Sequence, residues 1–252
     1  QSDASNVDLL AVPLYGRGTN ITDQTDVFHQ AERVSSDVLF VVDNSRSMEQ
    51  EQEGLAANFD AFIAHALTLD VDFHIGVVAT DILDPTTEQG NPPRDIFPAV
   101  LVAAPGRPRI ITSSTPDITG AFADNVRIGT GGDGRREAGL EAAWMALTPP
   151  EIDDPAKNGG FLREDAKLYL VFVSDEQDFS RGDTDFYVDF FTSIKGYHNP
   201  NMMQCAAVVL LDPDVCGDNQ TSPGTRYIDV AHQTGGVVES ICTSDWAASL
   251  AG

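Results

Sequence analysis

The chain's 252 residues, 42% of them apolar, are enough for one large α/β domain with surface additions, and a second domain is not required. Its 39 acidic against 15 basic residues, a net charge of −24 spread along the sequence, argue against nucleic acid, whose binding needs a basic surface to displace counterions, and disfavour anionic membranes. No run approaches the roughly 20 apolar residues of a membrane helix, so no direct membrane insertion is expected, and acidity this diffuse reads first as an adaptation to solubility or high salt.

Residues 1–35 mix short apolar runs, Val7 to Val12 and Val27-Phe28, with Gly, Asn, Thr and Asp, and read as an N-terminal extension ahead of one domain spanning 36–252. The polar start at Gln1, without methionine, is what a mature chain shows once an export signal or anchor has been removed, although a trimmed chain would begin the same way. Val38 to Val42 is apolar without alternation, so both faces of this strand are expected to be covered, as in a parallel sheet between helices. Asp43, Ser45 and Ser47 follow at its C-terminal end, the edge where open α/β sheets hold their ligands. A carboxylate and two hydroxyls are hard oxygen donors of the kind Mg²⁺ or Mn²⁺ prefers; the plainer alternative is a strand-to-helix turn capped by Ser45 or Ser47.

Glu49 to Leu69, with Leu55, Phe59, Phe62, Ile63, Ala66 and Leu67 near helical spacing, predicts an amphipathic helix, and Val71 to Ala79 predicts the next strand. His74 in that strand has no ligand-spaced His or Cys and reads as a half-buried structural histidine. Pro85 to Pro98 is a surface loop by composition; Ala99 to Ala104 and Arg109 to Thr112 look like short strands around the turn at Pro105-Gly106. Thr115-Pro116-Asp117 opens a helix through Val126, and the Gly-rich loop 128–134 leads into a helix expected over Glu137 to Leu147. That loop lacks the Gly-Lys-Ser/Thr ending of a phosphate-binding loop. Lys167 to Val173 is the second fully apolar strand and again ends in an acid, Asp175. A helix over Asp183 to Ile194, a strand over Gln204 to Leu211, a helix over Tyr227 to Gln233, a short strand over Val237 to Ile241 and a closing segment around Trp246 to Leu250 complete the chain. This alternation predicts a mostly parallel central sheet with helices on both faces.

Arg181-Gly182-Asp183 is a triplet that arises often by chance, and Asp212, Asp214 and Asp218 lack the spacing of a Ca²⁺-binding loop. Of the three cysteines, Cys205 is expected to be a buried strand thiol. Pairing of Cys216 with Cys242, which implies an oxidising compartment, is preferred over three free thiols.

The run Asp43-Asn44-Ser45-Arg46-Ser47, placed after a buried strand and before an amphipathic helix, resembles the Asp-x-Ser-x-Ser signature of von Willebrand factor A (VWA) domains. The resemblance covers about residues 36–245. It implies a three-layer Rossmann-like VWA fold and a metal-ion-dependent adhesion site assembled from three loops at one sheet edge. Asp43, Ser45 and Ser47 match the first loop, and Asp175 matches the acid ending the fourth central strand, although Ser174-Asp175-Glu176 departs from the frequent Thr-Asp-Gly. The family usually places a threonine six residues before the helix leucine. Counting back from Leu140 gives Gly134, leaving Asp133 after a one-residue shift, or Thr130, as the middle donor. The implied cofactor is a divalent cation, Mg²⁺ first, with Mn²⁺ or Ca²⁺ as alternatives.

The implied function is a non-enzymatic adhesion or protein-binding module whose incomplete metal shell accepts an acidic group of a protein or glycan partner. Asp-Phe-His-Ile-Gly-Val-Val and Tyr-Ile-Asp-Val-Ala look like bacterial exported or surface-anchored members, so an extracellular, cell-surface or periplasmic location is expected. Two other readings stay open. One is an assembly or scaffold component with a structural cation. The other is a metal-dependent hydrolase with Glu176 or Asp178 as base, for which no Ser/His/Asp or His-metal constellation is present.

Overall fold

In a computed structural model the described residues are 34–68, 70–82, 98–130, 137–196, 199–211 and 222–243. The chain divides between Glu32 and Arg33, and everything described belongs to the second unit. Most of the expected N-terminal extension, the loop after Ile82, Asp133, Cys216, the Asp212 to Asp218 acids and the Trp246 to Leu250 segment lie outside the described residues.

Six strands form one sheet in the order β3-β2-β1-β4-β5-β6. They are β1 (Ser35–Val42), β2 (Asp72–Ala79), β3 (Ile111–Thr112), β4 (Lys167–Ser174), β5 (Met203–Val209) and β6 (Val238–Ser240). All pair in parallel except β3, which runs antiparallel to β2. The α/β class and the mostly parallel central sheet with helices on both faces, in three layers, are those expected. The apolar runs explain why β1 and β4 sit centrally. Phe40 and Val42 of β1 point to one face, against Leu55, Phe59 and Ile63 of α1 (Glu49–Thr68) and Phe122 and Val126 of α2 (Ile118–Val126). Leu39 and Val41 point to the other face, against α3 (Gly139–Ala146), α4 (Thr184–Ser193) and α5 (Thr225–Gln233). Each fully buried Leu, Val or Phe contributes about 1.5–3 kcal/mol of transfer free energy, so a strand with no polar face is stable only between two helical layers. Phe59 and Phe122 lie stacked with centroids 3.6 Å apart, locking α1 to α2 over β1.

Several expectations need correction. Residues 99–104, buried except for Ala103, form no strand; Val102 N–H reaches Val77 at 2.8 Å, while Asn158 binds Leu101 N–H at 2.8 Å and donates to Ala99 at 2.7 Å. A side-chain amide thus takes the place of a neighbouring strand. Leu67 was expected on the apolar face of α1 and is exposed. The helix expected from Glu137 begins at Gly139, where a β-carbon would come within 2.5 Å of the Tyr227 hydroxyl, and Glu137 instead forms a lone antiparallel bridge with Asp81. Cys205 is a free, buried thiol, as expected. His74 is partly buried and lies 2.9 Å from the Phe161 carbonyl, a structural contact. Among the described residues, no helix is long and apolar enough to cross a membrane.

Candidate metal centre

The register fixes which residues meet at the C-terminal crest. Val42 aligns with Ala79 of β2 and with Val173 of β4, so Asp43, Thr80 and Ser174 are neighbours one step further on. Two backbone bonds hold that line past the end of the ladder: Asp43 N–H donates to Val173 at 2.9 Å, and Thr80 N–H donates to Val42 at 3.0 Å.

Asp43 is fully buried. Ser45 N–H donates to its Oδ1 at 2.7 Å, closing a tight turn, and the Ser174 hydroxyl donates to its Oδ2 at 2.6 Å. Each of these oxygens keeps a second lone pair. The Ser45 and Ser47 hydroxyls lie 3.1 Å apart, with Ser45 buried and Ser47 exposed. Asp43, Ser45 and Ser47 are therefore brought together in the first loop. Asp175, the residue after Ser174, is likewise fully buried. No side-chain bond caps the turn at Ser45, which weighs against the plain helix-cap reading.

The middle loop is tied to the first by Gln52, a residue of α1 whose role was not legible in the sequence. Its amide donates to the Asp43 carbonyl at 3.0 Å and to the Gly129 carbonyl at 3.0 Å, and it accepts from Gly129 N–H at 3.2 Å. Thr130 follows Gly129 and is partly buried. No bond ties its hydroxyl to Asp43 or Asp175, and Asp133 lies outside the described residues.

Sequence reasoning missed Glu137. Its backbone is pinned from both sides, by Ala138 N–H to Thr80 at 2.9 Å and by Phe179 N–H to the Glu137 carbonyl at 2.8 Å. Its side chain is buried and faces the carboxyl groups of Asp43 and Glu176. Among the described residues, no N–H or hydroxyl donor meets either Glu137 oxygen. Burial first, and then the Asp43 carboxylate, push the Glu137 carboxyl up to about 10. Burial followed by Asp43 and Asp175 raises Glu176, and burial, with Asp175 and Asp43 adding, raises Glu51.

The loop after β4 is anchored behind this cluster. Asp178 accepts from Leu140 N–H at 3.2 Å and from the Ser180 hydroxyl at 2.7 Å, and pairs with Arg226 of α5 at 3.1 Å. Ser180 accepts from Glu141 N–H at 2.8 Å and the Tyr227 hydroxyl from Gly139 N–H at 3.2 Å, so the first N–H groups of α3 are satisfied by other elements. Asp178 is engaged in this scaffold, which leaves it no role as a base.

Among the described residues, the remaining buried side-chain oxygens without a hydrogen-bond partner are Asn44 Oδ1, Glu51 Oε2 and Thr80 Oγ1, all at or beside this crest. Among the same residues, no three His, Cys, Asp or Glu side chains are grouped to hold a metal ion by themselves.

No family model matches the chain, and no curated protein matches it. Among solved structures it is similar to proximal thread matrix protein 1 from the mussel byssus in one crystal form, at 11% identity over 86% of this chain and 44% of that chain, with a TM-score of 0.44. Another structure of that protein gives 12% identity over 87% and 44%, with a TM-score of 0.41. A third, with a zinc-occupied MIDAS motif, gives 13% identity over 82% and 41%, with a TM-score of 0.39. The chain spans less than half the length of these proteins.

Proposed function

We propose that the chain is a protein-interaction or adhesion module that holds a divalent cation at the crest of β1, β2 and β4 and presents it to a partner. The observation that carries this reading is the concentration of buried, donor-poor oxygens at one sheet edge. Buried oxygens without donors cost about 1–3 kcal/mol each, more where charged, and among the described residues no lysine or arginine meets those of Glu137. A divalent cation would supply the missing positive charge and an open position for a visiting oxygen.

Asp43 and Asp175 would supply carboxylate oxygens and Ser45 and Ser47 hydroxyls, with water completing the shell, since among the described residues carboxylates alone do not form the cage. Ser174 and the Ser45 N–H hold the Asp43 carboxylate in place, and Gln52 fixes the first loop against the middle one. Mg²⁺ suits a site of few protein ligands and several waters. The partner is a protein or a glycan that offers an oxygen donor, in the sequence-based reading an acidic one. An exported, bacterial surface setting and a Cys216–Cys242 disulfide belong to the same proposal; Cys205, the third cysteine, is a free buried thiol, which leaves the other two to pair.

Thermal unfolding with and without Mg²⁺, Mn²⁺ or Ca²⁺ tests this. A midpoint raised by a cation, reversed by EDTA and unmoved in a folded Asp43→Ala variant is expected. No response to any of the three cations would sink the reading.

A further inference from the structure

We infer that a cleft at the last turn of α3 binds a small apolar carboxylic acid in its ionised form, with Arg109 holding the carboxylate and Val100, Met145 and Ala156 receiving the apolar body. α3 starts beside the crest and the cleft lies at its other end, so this site stands or falls independently of the cation reading.

The cleft has a volume of about 360 Å³, within the range of small-molecule sites. Its shape is set by Asn158, which is 1% exposed. The Asn158 side chain accepts from Leu101 N–H at 2.8 Å and donates to the carbonyls of Ala99 at 2.7 Å and Ala146 at 2.9 Å, and its backbone N–H donates to the Glu151 carbonyl at 3.2 Å. One residue thus ties together three walls: the segment 99–101, the last turn of α3 and the turn 151–158. That turn is closed on itself, by Lys157 N–H to the Asp154 carbonyl at 2.9 Å and by Ala156 N–H to the Asp154 side chain at 2.9 Å. A cleft held in this way gives up little freedom when it is occupied.

Its charged groups identify the ligand. Glu151 and Lys157 pair at 3.2 Å and cancel. Arg109 donates to the Leu101 carbonyl, and among the described residues no carboxylate pairs with it. Every other partly buried arginine among those residues has an acid: Arg107 has Asp117 and Asp124, Arg127 has Glu53, Arg163 has Asp37 and Asp72, and Arg226 has Asp178. In a chain of 39 acids and 15 bases, a guanidinium left without one, on the wall of an apolar cleft, is the exception. Its planar fork carries five N–H donors and spends one on Leu101, so others are free to take both oxygens of a carboxylate. An amine would meet Arg109 as like charge, and an alcohol would forgo the charge-assisted bonds.

The test is a titration of the full 252-residue chain, isotope-labelled at its methionine methyls, with hexanoate, hexanol and hexylamine, following the Met145 signal that a Met145→Leu variant identifies. A saturable shift with hexanoate, weaker with hexanol and absent with hexylamine, is expected. Arg109→Gln keeps an N–H for Leu101 and loses the charge; it should weaken hexanoate about 10- to 100-fold and leave hexanol unchanged, a split that a merely structural role would not produce. Glu151→Gln removes the negative charge of the cleft and should tighten hexanoate about two- to fivefold. Ala156→Trp adds bulk at an exposed position and should abolish binding of both by filling the cleft; it carries the test if Arg109→Gln does not fold. No saturable shift with hexanoate, hexanol or hexylamine binding as well as hexanoate, weaker hexanoate binding in Glu151→Gln, or native-like hexanoate binding in a folded Arg109→Gln or Ala156→Trp overturns the assignment.

Discussion

The two ends of the central sheet treat buried acids in opposite ways. At the N-terminal end, the Asp37 carboxylate is surrounded by positive groups: the Arg163 backbone N–H and Nε at 2.8 Å and the Lys195 ammonium at 3.5 Å. Arg163 also reaches Asp72 at 2.8 Å and the Ser36 carbonyl at 3.0 Å, so one side chain ties together β1, β2 and the loop before β4. At the C-terminal end, Asp43 and Asp175 add to the cost of charging Glu51, Glu137 and Glu176, and among the described residues no arginine or lysine offsets it. Among the described residues, arginine and lysine balance the acids of the first end and none balances those of the second; in the proposed reading a cation supplies that charge. Stability is concentrated at the first and function at the second.

Substitutions should separate the two ends. Asp37→Ala leaves Arg163 and the buried Lys195 without their carboxylate and is expected to cost about 3–5 kcal/mol in urea unfolding; a loss below about 1 kcal/mol would mean that the cluster is incidental. Arg226→Ala uncovers Asp178 and loosens the caps of α3; because the Arg226 side chain is 22% exposed, a smaller loss of about 2–3 kcal/mol is expected. Acidity provides the next contrast. Glu137, held protonated in the fold up to about 10 by burial and by Asp43, contributes stability that is fully present below its unfolded value near 4.5 and is lost as pH rises toward about 10. Glu51 and Glu176 are shifted in the same direction and add the same sign. The cation-free chain should therefore lose stability between about pH 5 and pH 9, the slope should flatten in Glu137→Gln, and saturating Mg²⁺ should remove most of it. A cation-free stability that climbs through that window would contradict the excess of buried acid. Gln52→Ala, which releases the first loop from the middle one, is expected to cost about 1–2 kcal/mol and to weaken cation binding; an effect on stability alone would show that the stitch between the loops serves only the fold.

The central strands were legible because β1 and β4 carry near-continuous apolar runs and acids mark their ends, whereas their order in the sheet was not. So was the first loop, since Asp43, Ser45 and Ser47 are close in sequence and their geometry is local. What could not be read depends on contacts between residues far apart. Asn158 replaces a strand neighbour for Leu101 from 57 positions away, and no local pattern distinguishes 99–104 from a real strand. Glu137 looked like the acid in the first turn of a helix, a common arrangement. Only the close approach of Gly139 to Tyr227 moves the helix start past it and leaves its carboxyl at the crest.

Isothermal titration of the chelator-stripped chain with Mg²⁺, run beside Asp43→Ala and Asp175→Ala, bears most directly on the claim that the donor-poor crest is a cation site. One saturable site in the native chain, absent from both folded variants, is the expected result. A native chain that takes up no cation, or two variants that bind as well as the native chain, would contradict it.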